Sequence, residues 1–264
     1  MLIIGERINA SRKSIAEAIS SRDAAFIRNE AKIQAEAGAG FIDVNAGIFV
    51  GEEAKHLRWV IETVQEAVDL PLSVDSPDSA VLKAMIPLVK KVPMINSITL
   101  EASRLEGILP LVAEHRTGVI ALCQSGDDIA DTAEAKVKMA GQLVEKVVAS
   151  GVPLDHLYID PLVYPLATND RSALATLDAI EIIMKEFPGV HTTCGLTNVS
   201  YGLPSRKLVN RTFLTAAIDR GLDSAILDPT DKQLYGALKA ALVIASKDEF
   251  CTDYISGFRE GKFE

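Results

Sequence analysis

Eight short apolar runs, rich in β-branched residues, punctuate the chain: "LIIGE" from Leu2, "FIDVN" from Phe41, "LSVDS" from Leu72, "PMINS" from Pro93, "GVIALC" from Gly118, "LYIDP" from Leu157, "TTCGLTN" from Thr192 and "SAILDP" from Ser224. Each reads as a buried strand, and they recur at roughly 20 to 40 residues, the repeat of a strand-plus-helix unit. Between them the apolar positions change period. Leu57, Val60, Ile61, Val64 and Val68 mark one helical face, Val137, Ala140, Val144, Val147 and Val148 a second, and Leu234, Leu238, Ala241 and Ala245 a third. That spacing predicts helices lying on a sheet. Gly38, Gly151 and Gly221 stand where helices should end before the next strand. Eight such units in about 250 residues predict an α/β protein, a single closed (β/α)8 TIM barrel spanning residues 1–264. An open doubly wound sheet typically has fewer strands and often a glycine-rich first turn. Here the first strand runs into "GERINASR", and no GxGxxG occurs.

Composition narrows the partners. Hydrophobic residues make up 48% of the 264, enough for a sizeable core. The 36 acidic and 27 basic side chains give a net charge of −9 without a long basic run, so neither nucleic acid nor an anionic membrane surface is expected as a partner. The apolar stretch in "MLIIGERINA" is too short for a leader or a membrane span, which predicts a cytoplasmic protein. Cys123, Cys194 and Cys251 are scattered and the histidines lack ligand spacing, so no structural metal and no disulfide framework are expected. The cysteines read as small apolar fillers, Trp59 as packing, and His156 and His191 as residues of the face opposite the site.

In a barrel of this kind the site lies at the carboxyl ends of the strands. Those ends carry Glu6 and Asn9, Asp43 and Asn45, Asp75, Asn96, Gln124, Asp160, Asn198 and Asp228. They include no nucleophile–histidine–acid set and no lysine for a Schiff base. Carboxylates and amides suit a neutral, flat ligand rich in N–H donors, since a carboxylate accepts two parallel hydrogen bonds and a carboxamide gives one and takes one. An aspartate there also serves as a helix cap. Asp228, before "PTDKQ", reads equally as such a cap, and Asp43 as a structural acid inside the barrel.

"GERIN" at 5–9, "DVNAG" at 43–47, "VDS" at 74–76, "MINS" at 94–97, "YIDPL" at 158–162 and "GLTNVSYGLPSRKLVNRTFL" at 195–214 together resemble the methyltetrahydrofolate:corrinoid methyltransferases. These pterin-binding barrels are related to the folate domain of cobalamin-dependent methionine synthase and, more distantly, to dihydropteroate synthase. The resemblance runs in order along essentially the whole chain. It implies that Asp75, Asn96 and Asp160 hold the pterin ring and that Asn198 is the catalytic amide reaching pterin N5. It also places Arg206 near the benzoyl or glutamate end of folate, and carries Glu6 and Asn45 as residues of the pterin site. Many relatives have "LSNVS" where this chain has "LTNVS", which keeps the asparagine.

The implied reaction moves a methyl group, reversibly, between N5 of tetrahydrofolate and the Co(I) cobalt of a corrinoid. No corrinoid-ligating DxHxxG stretch occurs here, so the corrinoid (cobalamin) is expected on a partner protein docked over the barrel mouth. A homodimer is expected by analogy with relatives. One alternative is a dihydropteroate synthase-like condensing enzyme. That chemistry needs cationic groups near the last strands, where this chain has "LTN" and "SAILDP". The other is a folate-binding module without catalysis, against which the retained Asn198 argues.

Overall fold

A computed structural model describes residues 1–126 and 128–263. The eight expected strands are β1 (Leu2–Asn9), β2 (Phe41–Asn45), β3 (Leu72–Asp75), β4 (Met94–Ile98), β5 (Gly118–Leu122), β6 (Leu157–Asp160), β7 (His191–Thr192) and β8 (Ser224–Leu227). All run parallel, each beside its neighbours in sequence, and β8 returns to pair with β1. Between β7 and β8 the ring is closed by a single bridge, Gly195 to Ile226, with Ile226 N–H donating to the Cys194 carbonyl at 2.9 Å. The result is a nearly closed (β/α)8 barrel. A short antiparallel hairpin, Gln124–Ser125 with Asp128–Ile129, follows β5 and was not expected from the sequence.

Most helical expectations hold. Leu57, Val60, Ile61 and Val64 are fully buried on helix Glu53–Ala67, and Leu234, Leu238 and Ala241 are buried on helix Lys232–Ile244. On helix Ala133–Ala149 the buried stripe is instead Lys136, Met139, Ala140, Leu143 and Val147, while Val148 faces out. A lysine in that stripe shifted the apparent face. Gly38, Gly151 and Gly221 do take left-handed backbone just past helix ends.

Side chains alternate along a strand, so positions two apart share a face. Leu2, Ile4 and Glu6 therefore line the inside of β1, as do Phe41, Asp43 and Asn45 on β2. Met94 precedes Asn96 on β4, Tyr158 precedes Asp160 on β6, and Ile226 precedes Asp228 at the end of β8. Ile4, Met94 and Ile120 pack with Leu2, Phe41, Leu122, Tyr158 and Ile226 into an apolar plug. The inward faces thus change from apolar at the bottom to polar at the top. At the bottom, His191 stacks on Tyr158 with ring centres 4.7 Å apart and pairs with Asp223, and His156 bonds the Thr117 carbonyl. Both histidines serve the face away from the mouth, as expected.

Candidate functional site

Two β-bulges shape the mouth. Opposite β2, the register of β1 shifts between Gly5 and Ile8, inserting one residue at Glu6–Arg7. Glu6 then faces a cavity of about 650 Å³ at the carboxyl ends of the strands, while Arg7 reaches outward to Glu30 at 2.7 Å and Asp228 at 2.9 Å. Gly5 leaves room for the side-chain oxygen Oε1 of Gln34, which accepts from Arg7 N–H at 3.0 Å; a Cβ at Gly5 would collide with it. The second bulge, in β4 between Asn96 and Ile98, lies beside Asn96.

The strand register assembles the rim. Asn9 pairs with Asn45, Asn45 with Asp75, and Asp75 with Asn96, a continuous row across four strands. Asn45 donates to Asp75 Oδ2 at 2.9 Å and accepts from Gly47 N–H at 3.0 Å, so it fixes the carboxylate rather than lining the cavity. One layer below, Asp43 Oδ1 accepts from Ser73 at 2.7 Å and from Asn96 Nδ2 at 3.2 Å. The buried Asp43 therefore orients the Asn96 amide, the structural role its position allowed.

Asp160 is buried at the top of β6. Its Oδ1 accepts from Leu162 N–H at 2.7 Å, and the Gly195 backbone adds a second donor. Asn198 sits on the short 3-10 turn Leu196–Ser200 after β7. It is exposed into the cavity, and its side-chain amide has no protein partner among the described residues. Arg206 opens the next helix, Arg206–Asp219, and donates to the Thr197 carbonyl at 2.8 Å and to Ser200 Oγ at 3.1 Å, tying down the turn that carries Asn198.

The cavity thus brings together Glu6, Asp43, Asp75, Asn96, Asn198 and Arg206. Asp160 and Asn45 stand behind it. Gln124 bonds the Gly126 carbonyl in the hairpin and is not part of the lining. Asp228 is not a helix cap: Asp231 caps helix Lys232–Ile244, whereas Asp228 binds Arg7 and Thr230. Cys123 and Cys194 are buried fillers whose thiols burial pushes up. Sequence reading missed Arg12, Lys207 and Asn210, which also line the cavity. Asn210 Oδ1 is buried with no hydrogen-bond partner among the described residues. Its placement one turn after Arg206 on the same helix was the available signal.

Burial raises Glu6, Asp43, Asp75 and Asp160. Asp75 is lifted to about 6 by burial, against the Asn45 hydrogen bond, and Asp160 to about 6 by burial, against its two backbone donors. Asp43 is raised by burial and by Asp75. Glu6 reaches about 7 through burial and the Asp228 charge, which Arg12, Arg206 and Arg7 oppose. Near neutral pH, Glu6 can therefore hold or release a proton at the cavity wall. No group of three His, Cys, Asp or Glu side chains among the described residues is arranged to hold a metal ion.

The chain is thus a parallel α/β barrel whose acceptor-rich cavity lies at the carboxyl ends of its strands, the place where enzymes of this architecture carry their sites. Residues 5–228 match the family described as pterin binding enzyme, and the chain belongs to that family. It is 40% identical to the methylcorrinoid:tetrahydrofolate methyltransferase of Eubacterium limosum, over 99% of this chain and 97% of that one. It is 32% identical to the methionine synthase of Mycobacterium tuberculosis over 86% of this chain, which spans only 20% of that larger protein. The dihydropteroate synthase of Xanthomonas albilineans with 4-aminobenzoic acid superposes with a TM-score of 0.70 at 20% identity, covering 94% of this chain and 93% of that one, a likeness of fold.

Proposed function

We propose that this protein transfers a methyl group, reversibly, between N5 of tetrahydrofolate and the cobalt of a corrinoid carried by a partner protein. The observation that carries the proposal is the end-to-end similarity to the Eubacterium limosum methylcorrinoid:tetrahydrofolate methyltransferase. The cavity supplies fitting chemistry. Asp75 and Asn96 offer an acceptor and an amide in the lining, with Asp160 buried behind them, a set suited to the N–H donors of a pterin. Arg12, Arg206 and Lys207 add cations to the lining, suited to an anionic glutamate tail.

The corrinoid brings the cobalt that gives or takes the methyl group. In the direction that methylates the corrinoid, N5 is the leaving group of an in-line displacement. A tertiary amine leaves poorly unless positive charge on N5 is supported as the bond breaks. The partner-free amide of Asn198 would accept from N5–H and stabilise that charge. In the reverse direction the same carbonyl orients N5 as it attacks and sheds its proton. Glu6, poised at about 7, is chemically able to store a proton at the cavity wall. Asn45 holds Asp75, and Arg206 holds the Asn198 turn, so both act by positioning.

The proposal includes a cytoplasmic homodimer, for which sedimentation gives the test of assembly. The activity test is anaerobic. Protein, methyltetrahydrofolate and reduced cobalamin are mixed, and the Co(I) absorbance is followed. Its decay with appearance of methylcobalamin is expected. Folate binding without any decay, with the cognate corrinoid protein also supplied, would leave only a folate-binding module.

A further inference from the structure

Lys136 is the largest wholly buried side chain among the described residues, with no solvent exposure. Lysine is rarely found there unless its charge is compensated. Its Nζ donates to the Pro161 carbonyl at 2.7 Å and the Leu162 carbonyl at 2.6 Å, and lies 4.9 Å from the centre of the Tyr164 ring. All three residues belong to the loop that leaves β6 after Asp160. Leu162 has φ of 55°, the left-handed region that a leucine disfavours. Its carbonyl is held by Lys136 and by Thr176 Oγ1 at 3.3 Å, while its N–H donates to Asp160 Oδ1.

We propose that Lys136 is a positioning residue for folate binding, whose ammonium fixes the 161–164 turn and thereby aims and supports the Asp160 carboxylate. The inference rests on the proposed ring-holding role of Asp160. The charge is as relevant as the hydrogen bonds. The groups facing Lys136 are Asp160 from β6, Cys123 from the end of β5 and Asp131 ahead of its own helix, with the Tyr164 ring beside it. Those facing Asp160 are Lys136 and the thiols of Cys123 and Cys194. Lys136 is the cation among them, and it favours the ionised carboxylate that a ring N–H needs as its acceptor. Burial works against its own charge, so the loop carbonyls and the neighbouring acids are what keep it an ammonium.

The experiment measures tetrahydrofolate affinity by titration calorimetry from pH 5 to 8, with methyl-transfer kinetics, for wild type, Lys136→Met, Lys136→Gln and Asp160→Asn. Methionine removes both donors and charge. Glutamine keeps donors and removes the charge. Lys136→Met is expected to weaken binding about ten- to a hundredfold at pH 8, with kcat at saturation little changed. In both variants the loss of binding on acidification should begin at higher pH than in wild type, because Asp160 takes up its proton sooner. Wild-type affinity and an unmoved acid limb in folded variants would overturn the proposal, as would a weaker Met variant with no acid-limb shift in either. If Lys136→Met fails to fold, the acid limb of Lys136→Gln decides the matter in the same two directions. Asp160→Asn with wild-type affinity would instead remove the ring-holding role, whatever the Lys136 variants do.

Discussion

Replacing Asp160 by asparagine should make the protein more stable in the absence of folate while weakening folate binding. The carboxyl is buried, and burial moves it from an ordinary 3.8 to about 6. That difference corresponds to about 3 kcal/mol favouring the neutral form in the folded state. Asparagine keeps an oxygen to accept from Leu162 N–H and Gly195 N–H, so the charge is the main loss. The folded protein binds this proton more tightly than the unfolded chain does. Its contribution to stability is therefore complete below about pH 4 and is lost as pH rises through about 6. Wild type and variant should converge near pH 4 and diverge by about 2–3 kcal/mol at pH 8. The other raised acids, Glu6, Asp43 and Asp75, are not among the causes of the Asp160 shift, so their titrations cancel in the comparison. Urea unfolding followed by circular dichroism at several pH values gives both free energies. A variant less stable than wild type at pH 8, or an offset independent of pH, would refute the reasoning. Calorimetry on the same samples should show folate affinity down by about 1–3 kcal/mol, because asparagine puts an NH2 donor where the carboxylate's second oxygen would accept from a ring N–H.

Asn198→Ala should lower the maximal rate of methyl transfer by about 2–4 kcal/mol of transition-state stabilisation and leave the unfolding free energy unchanged, since the exposed amide has no protein partner; single-turnover kinetics and urea unfolding check the two halves. Asn45→Ala removes the hydrogen bond that holds Asp75 down, so the Asp75 carboxyl should rise above about 6; folate affinity should then fall on acidification at a higher pH than in wild type, as a pH series of titrations reads directly. Arg206→Met frees the Thr197 carbonyl and Ser200 hydroxyl that anchor the Asn198 turn, and should reduce kcat more than it raises KM for a short, glutamate-free folate analogue.

The strands were legible because a fully buried parallel strand is apolar on both faces, and its upper end betrays itself by an abrupt carboxylate or amide. That is why "LYIDP" ends in a charge: Tyr158 belongs to the apolar plug, while Asp160, one inward step higher, belongs to the mouth. The motif order located Asp75, Asn96, Asn198 and Arg206 at one cavity. What escaped depends on distant pairings. Nothing local to Asp228 announces Arg7, which lies 221 residues away, so the aspartate looked like a cap. The bulges at Glu6 and beside Asn96 are register events between strands, invisible in either strand alone. Lys136 went unread for a simpler reason: a lysine on an amphipathic helix suggests the solvent side, and only the loop carbonyls above it make the buried position tolerable.

Asp43, Asp75 and Asp160 share one physical predicament. Each is made costly by burial, and each is held by neighbours that orient it without neutralising it: Asn45 for Asp75, two backbone N–H groups for Asp160, Ser73 and Asn96 for Asp43. A folded chain selected only for stability would replace them with apolar residues, because a buried charge without a salt-bridge partner is poor cement. Their retention makes sense if the missing donors arrive with a ligand, whose ring N–H groups complete hydrogen bonds that the protein leaves open. The same logic distinguishes Asn198. It alone in the row of proposed ring contacts is neither buried nor fastened, so it is free to follow an atom whose charge changes during the reaction. Rigid acceptors for the parts of the ring that stay the same, and one loose amide for the atom that does not, are the division of labour that the proposed methyl transfer at N5 would call for.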